Sequence, residues 1–98
     1  MAIAKGKYVI VRGDRSGVFA GTFVSRKSRE VELTGARRIW YWNGAASISE
    51  LAQRGTSRPQ DCKFPAPVTR ILILDAIEVI LVLPGAKKSI ESVARWTR

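Results

Sequence analysis

Arg29-Glu30-Val31-Glu32-Leu33-Thr34 alternates charged and apolar side chains, and this run decides how the rest of the chain is read. Period two places Glu30 and Glu32 on one face of a strand and Val31 and Leu33 on the other. Working back, Arg26-Lys27-Ser28 is a polar turn. Val18 to Ser25 is then a strand with Phe19 and Phe23 on one side. Gly21 in its middle signals a bulge or a close backbone approach. Gly13-Asp14-Arg15-Ser16-Gly17 is a further turn cluster, and the β-branched run Lys7 to Arg12 before it reads as a strand. Working forward, Gly35 breaks the run, and Arg37 to Trp42 forms a fourth strand dense in aromatics. The first half is expected to be an antiparallel meander of four strands.

Ser47-Ile48-Ser49-Glu50 is a capping-box pattern that predicts a helix over Ser47 to Arg54, stopped by Gly55. So short a helix is marginal alone and has to dock on the sheet. Thr56 to Pro67, with three prolines, is a connection within one domain. Arg70 to Asp75 and Ala76 to Leu83 are β-rich and make either one bent strand or two. The unbroken apolar run Ile71 to Leu74 is the pattern of a strand covered on both faces. Pro84 and Gly85 break the pattern, and Ala86 to Val93 reads as a short helix with Ile90, Val93 and Trp96 turned inward. The fold class that fits is mainly β (α+β): a bent antiparallel sheet or small barrel with one or two short helices, in a single domain over residues 1–98. Sheets this small leave edges that pair between subunits, so a homo-oligomer is expected.

Seventeen Lys and Arg against eight Asp and Glu give a net charge of +9. Such a field attracts nucleic acids, nucleotides and other phosphates. Catalysis finds little support. The chain has no histidine, the commonest general base and metal ligand. Its one cysteine, Cys62, therefore has no imidazole to activate it, and no Walker loop, dinucleotide fingerprint or zinc spacing is present. A non-catalytic protein with no metal and no cofactor is the expectation. A single cysteine also fits a reducing compartment. The longest apolar region, Ile71 to Leu83, is interrupted by Asp75 and Glu78 and is too short and charged to span a bilayer. Membrane contact is not expected.

The strongest candidate site is Arg37-Arg38-Ile39-Trp40-Tyr41-Trp42. On a strand, Arg38, Trp40 and Trp42 share one face and Arg37, Ile39 and Tyr41 the other. Either face joins a guanidinium to aromatic surface, the pair needed to hold phosphate and stack a base. The competing reading makes one indole core, with an arginine stacked over it. A second candidate is Arg54-Gly55-Thr56-Ser57-Arg58, where Arg54 and Arg58 would hold phosphate and Thr56 and Ser57 would donate hydroxyls. Arg54 has a simpler role available, complementing a helix C-terminus. The Arg12–Gly17 turn is a third, with backbone amides able to form an anion nest. Lys87, Lys88, Arg95 and Arg98 add basic surface around Trp96.

The segment Gly35-Ala36-Arg37-Arg38-Ile39-Trp40-Tyr41-Trp42-Asn43-Gly44-Ala45-Ala46-Ser47 resembles a family of small uncharacterised proteins of tailed phages and prophages. The likeness extends over Lys7 to Gly13, Asp61 to Pro65 and Leu74 to Glu78. What it implies is a setting, a phage accessory protein in the host cytoplasm. In that setting, analogy of class suggests sequestration of a nucleotide signal made by bacterial immunity. The expected partner is thus a small anionic nucleotide. Nucleic acid, or a virion or assembly partner, is the alternative.

Overall fold

The computed structural model describes residues 2–97. Five strands form one antiparallel sheet: β1 (Tyr8–Gly13), β2 (Val18–Lys27), β3 (Glu30–Arg38), β4 (Val68–Ile73) and β5 (Ala76–Leu81). Their spatial order is β4-β3-β2-β1-β5. Helix α1 (Ile48–Arg54) and a short 3-10 turn (Pro59–Asp61) separate β3 from β4, and α2 (Pro84–Ser92) follows β5. The fold is mainly β, as the alternation around Val31 predicts, and the sheet is bent without closing into a barrel.

The order explains the bend. β4 and β5 are the two edges of the sheet, yet only Leu74 and Asp75 connect them. The sheet must therefore roll until its edges meet at that end. Hydrogen bonds lace the meeting point: Asp14 N donates to Asp75 O (2.9 Å) and Ala76 N to Arg29 O (3.0 Å). The roll creates two cores. On the outer face, Tyr8, Ile10, Ala20 and Ile39 pack against Leu51 of α1 and Ile90 of α2. On the inner face, Val9, Val11, Phe19, Phe23, Val31 and Leu33 pack on one another. No helix covers them, so the curvature of the sheet, with Ile3 of the N-terminal segment packed against the cluster, keeps water from them, at about 1.5–3 kcal/mol per large side chain.

Gly21 and Gly35 make the curvature possible. Thr22 pairs with Thr34, but Ala20 pairs with Arg37, so two residues of β3 face the single Gly21. This is a β-bulge. Gly35 occupies it at φ +55°, and a Cβ at Gly21 would lie 3.0 Å from Ala36 Cα. The expectation at Gly21 holds. That at Gly35 does not: the glycine bends β3 rather than ending it.

Three further expectations need correction. Arg37 to Trp42 is not a fourth strand, because β3 runs only to Arg38. Its last bond to β2 is Ile39 N to Val18 O (2.8 Å), where β2 itself begins, so Trp40 to Trp42 has no strand to pair with. β4 is not covered on both faces. It is an edge, with Val68 and Leu72 exposed and Leu74 exposed just beyond it. Pro84 and Gly85 lie inside α2, where proline suits the first turn because its missing N–H has no helical partner to lose.

Helix α1 begins as its sequence directs. The Ser47 hydroxyl accepts from Glu50 N (3.2 Å), and Ala46 N donates to the Glu50 carboxylate (2.7 Å). Gly55 closes it at φ +76°, where a Cβ would collide with Ser89 of α2. Ile48, Leu51 and Ala52 face the core.

Candidate functional site

Arg37 and Arg38, adjacent in sequence, meet opposite fates. Arg37 is buried beneath the outer face. Its guanidinium donates to four main-chain carbonyls: Phe64 (2.7 Å), Val93 (2.8 Å), Pro65 (3.1 Å) and Ile90 (3.4 Å). Burial lowers its pKa, opposed by the nearby Tyr8. The same burial pushes Tyr8 up to about 12, with Glu91 adding to the rise and Arg37 opposing it. Ile90 and Val93 end α2, so Arg37 also meets the negative end of that helix. It brackets the 64–65 segment against α2 and is committed to the interior. Arg38 instead stacks over Phe19 (4.4 Å) and donates to Ser16 O (2.6 Å) at the rim of the inner face.

What Arg37 holds in place is an open surface. Trp40 N donates to Lys63 O (3.1 Å), and Lys63 N donates to Tyr41 O (2.8 Å). Trp96 N donates to Phe64 O (3.0 Å), which lays a third segment alongside. Trp40, Lys63, Pro65 and Trp96 line the resulting shallow hollow of about 520 Å³. Trp40 is 63% exposed. The Lys63 ammonium lies 5.6 Å from the ring centres of both Tyr41 and Trp96. Among the described residues no carboxylate pairs with it. Ring faces attract a cation without neutralising it. The hollow therefore offers indole faces and an available positive charge.

Of the residues expected at the site, Trp40 is here and Trp42 is not. Trp42 is half-buried against the outer-face core. One indole is thus largely structural and the other open. Three of the four side chains of the second candidate segment are taken up by contacts within the chain. Thr56 Oγ1 donates to Asn43 O and Ser57 Oγ to Gly44 O (3.2 Å). Arg58 is paired with Asp61 (2.7 Å), and Arg54 sits in the last turn of α1. The Cys62 thiol is buried within 3.6 Å of Asn43 O, Thr56 Oγ1 and Arg58 O.

The Arg12–Gly17 turn does form an anion nest, and the chain fills it. Arg15 N (2.8 Å) and Ser16 N (3.1 Å) donate to the Asp75 carboxylate, as does the Ser16 hydroxyl (2.5 Å). Those bonds hold the Asp75 carboxyl below its usual range, the hydroxyl contributing most. Glu78 is paired with Arg12 (3.1 Å), and Arg70 with Glu32 (2.9 Å).

Lys63, Pro65 and Trp96 are absent from the expected site. Linear spacing carries no trace of their meeting with Trp40, which depends on bridges between Tyr41 and Lys63 and between Phe64 and Arg95. The one available signal was the lone tryptophan in the basic C-terminal stretch. Arg98 lies outside the described residues.

Fold and surface together define a small, rolled antiparallel β domain with an exposed aromatic and cationic face. The family described as "Domain of unknown function (DUF6948)" matches residues 6–90, and the chain belongs to it. That span includes Trp40, Arg37 and Lys63 and stops before Trp96. No curated protein and no solved structure matches the chain. Among the described residues no helix is long and apolar enough to cross a membrane.

Proposed function

We propose that this chain is a non-catalytic binder of a nucleotide-type anion, with Trp40 and Trp96 as stacking faces and Lys63 as the phosphate-facing charge. The observation that carries the reading is the hollow itself. A 63%-exposed indole is an uncommon surface residue unless something stacks on it, and it lies beside a lysine held between two further rings. The net charge of +9 supplies the long-range attraction. The want of any histidine and the enclosure of Cys62 support binding without chemistry. In the setting implied by the likeness to phage proteins, the role is sequestration of a bacterial immune nucleotide in the host cytoplasm.

A second reading, single-stranded nucleic acid, is favoured by the shallowness of the hollow, which suits a strand passing over it. Calorimetry at low salt separates the two. A panel of mononucleotides, cyclic dinucleotides and oligothymidylates of increasing length is titrated into wild type and Lys63→Gln. The nucleotide reading expects saturable binding to a short ligand, weakened in the variant, with the ligand recovered unmodified. The strand reading expects affinity that rises with length and falls steeply with salt. Heatless titrations across the whole panel overturn both.

A further inference from the structure

We propose that copies of this chain assemble head to tail through their sheet edges, β4 of one copy pairing with β5 of the next, into a closed ring. The first support is where the exposed apolar side chains lie. Apart from Trp40 and Tyr41, every exposed large hydrophobic residue among those described is on an edge strand or directly beyond one: Val68, Leu72, Leu74, Ile77, Leu81 and Leu83. Leu72 and Leu74 are 53% and 65% exposed. Soluble proteins blunt sheet edges with lysine, proline or a covering element. Neither β4 (Val-Thr-Arg-Ile-Leu-Ile) nor β5 (Ala-Ile-Glu-Val-Ile-Leu) contains a lysine or a proline. Each pairs with one strand only, so each presents a row of free main-chain donors and acceptors outward.

Charge selects the occupant. In a chain of +9, self-association requires a surface where the excess is cancelled. Arg70 on β4 is paired with Glu32, and Glu78 on β5 is paired with Arg12. Both edges are therefore close to neutral, which suits a second copy and gives a polyanion little to hold. Symmetry selects the mode. A twofold β4–β4 contact would leave the apolar β5 edge of each copy in water. A β4–β5 contact covers both edges of every copy with a single kind of interface. Such heterologous contacts close into rings when the rotation between copies permits, and a sheet bent enough to bring its own edges together supplies rotation.

Native mass spectrometry and sedimentation velocity on the full chain test this, with Leu72→Arg on β4 and Leu81→Arg on β5. Both positions are exposed, and circular dichroism verifies that each variant folds. Wild type is expected as one species of three or more copies. Each variant alone is expected to be monomeric. An equimolar mixture of the two is expected to stop at a dimer, in which the intact β5 of Leu72→Arg meets the intact β4 of Leu81→Arg. A monomeric wild type, a dimer broken by only one of the two substitutions, or a mixture that stays monomeric would overturn the proposal.

Discussion

The Arg12–Gly17 turn and the hollow around Lys63 both gather positive donors at a concave surface, and only one of them remains open. At the turn, the amides of Arg15 and Ser16 and the Ser16 hydroxyl converge on the Asp75 carboxylate. The anion comes from the chain itself, and the nest fastens the β1–β2 turn to the β4–β5 turn at the end where the sheet edges approach. At the hollow, Lys63 meets ring faces. Arg37 belongs with the turn, since four carbonyls take its donors. In a strongly basic chain, an internal partner marks the cations that the fold itself uses. Total charge does not separate the two kinds.

The largest test of this division is Arg37→Met. Hydrogen bonds from a charged group are worth about 1.5–3 kcal/mol each and are not additive. Removing this guanidinium leaves buried carbonyls unpaired. Urea denaturation should show a loss of about 3 kcal/mol, with a melting temperature more than about 10 °C lower. Arg37→Lys should recover only part of that, because one ammonium cannot span four carbonyls. A loss under about 1 kcal/mol would place Arg37 with the open cations instead.

On the open side the pattern should invert. Trp40→Ala should leave stability within about 0.5 kcal/mol of wild type. Its affinity for the ligand identified by calorimetry should fall about tenfold, the loss of one stacking face. A variant that is destabilised by more than about 1 kcal/mol yet binds as tightly as wild type would reverse the assignment.

The smallest effect is expected at Asp75, which is half-buried at the surface and partly screened by solvent. Its carboxyl binds a proton less readily in the folded chain than in the unfolded one. The stability it adds is therefore fully present above the ordinary carboxylate value of about 3.9 and is lost as pH falls through the lowered folded value. Asp75→Asn should be less stable than wild type at neutral pH, and the two should converge in acid. A gap that persists unchanged at the lowest pH would mean the carboxylate is not the source.

Much of the fold was legible because its signals are local. Val31 and Leu33 alternate with glutamates, Ser47 and Glu50 spell a helix start, and Gly21 marks a close approach. What escaped was set at a distance. Ile39 to Trp42 has strand composition, but β2 begins at Val18 and offers nothing further to pair with. Ile71 to Leu74 is as apolar as a central strand, and only the order β4-β3-β2-β1-β5 reveals it as an edge. The site followed the same rule. Trp40 was visible as one of an aromatic pair, whereas its neighbours Lys63 and Trp96 arrive through bridges that no spacing encodes. Arg37 looked like a ligand because burial is invisible in a run of basic and aromatic residues.

The most direct measurement is of the three indole N–H resonances in an NMR titration with the tightest-binding nucleotide or oligonucleotide. Trp40 and Trp96 are expected to shift together and saturate at one stoichiometry, while Trp42, packed against the outer-face core, stays in place. A saturating ligand that moves Trp42 alone, or leaves all three unmoved, would contradict a binding surface at Trp40, Lys63 and Trp96.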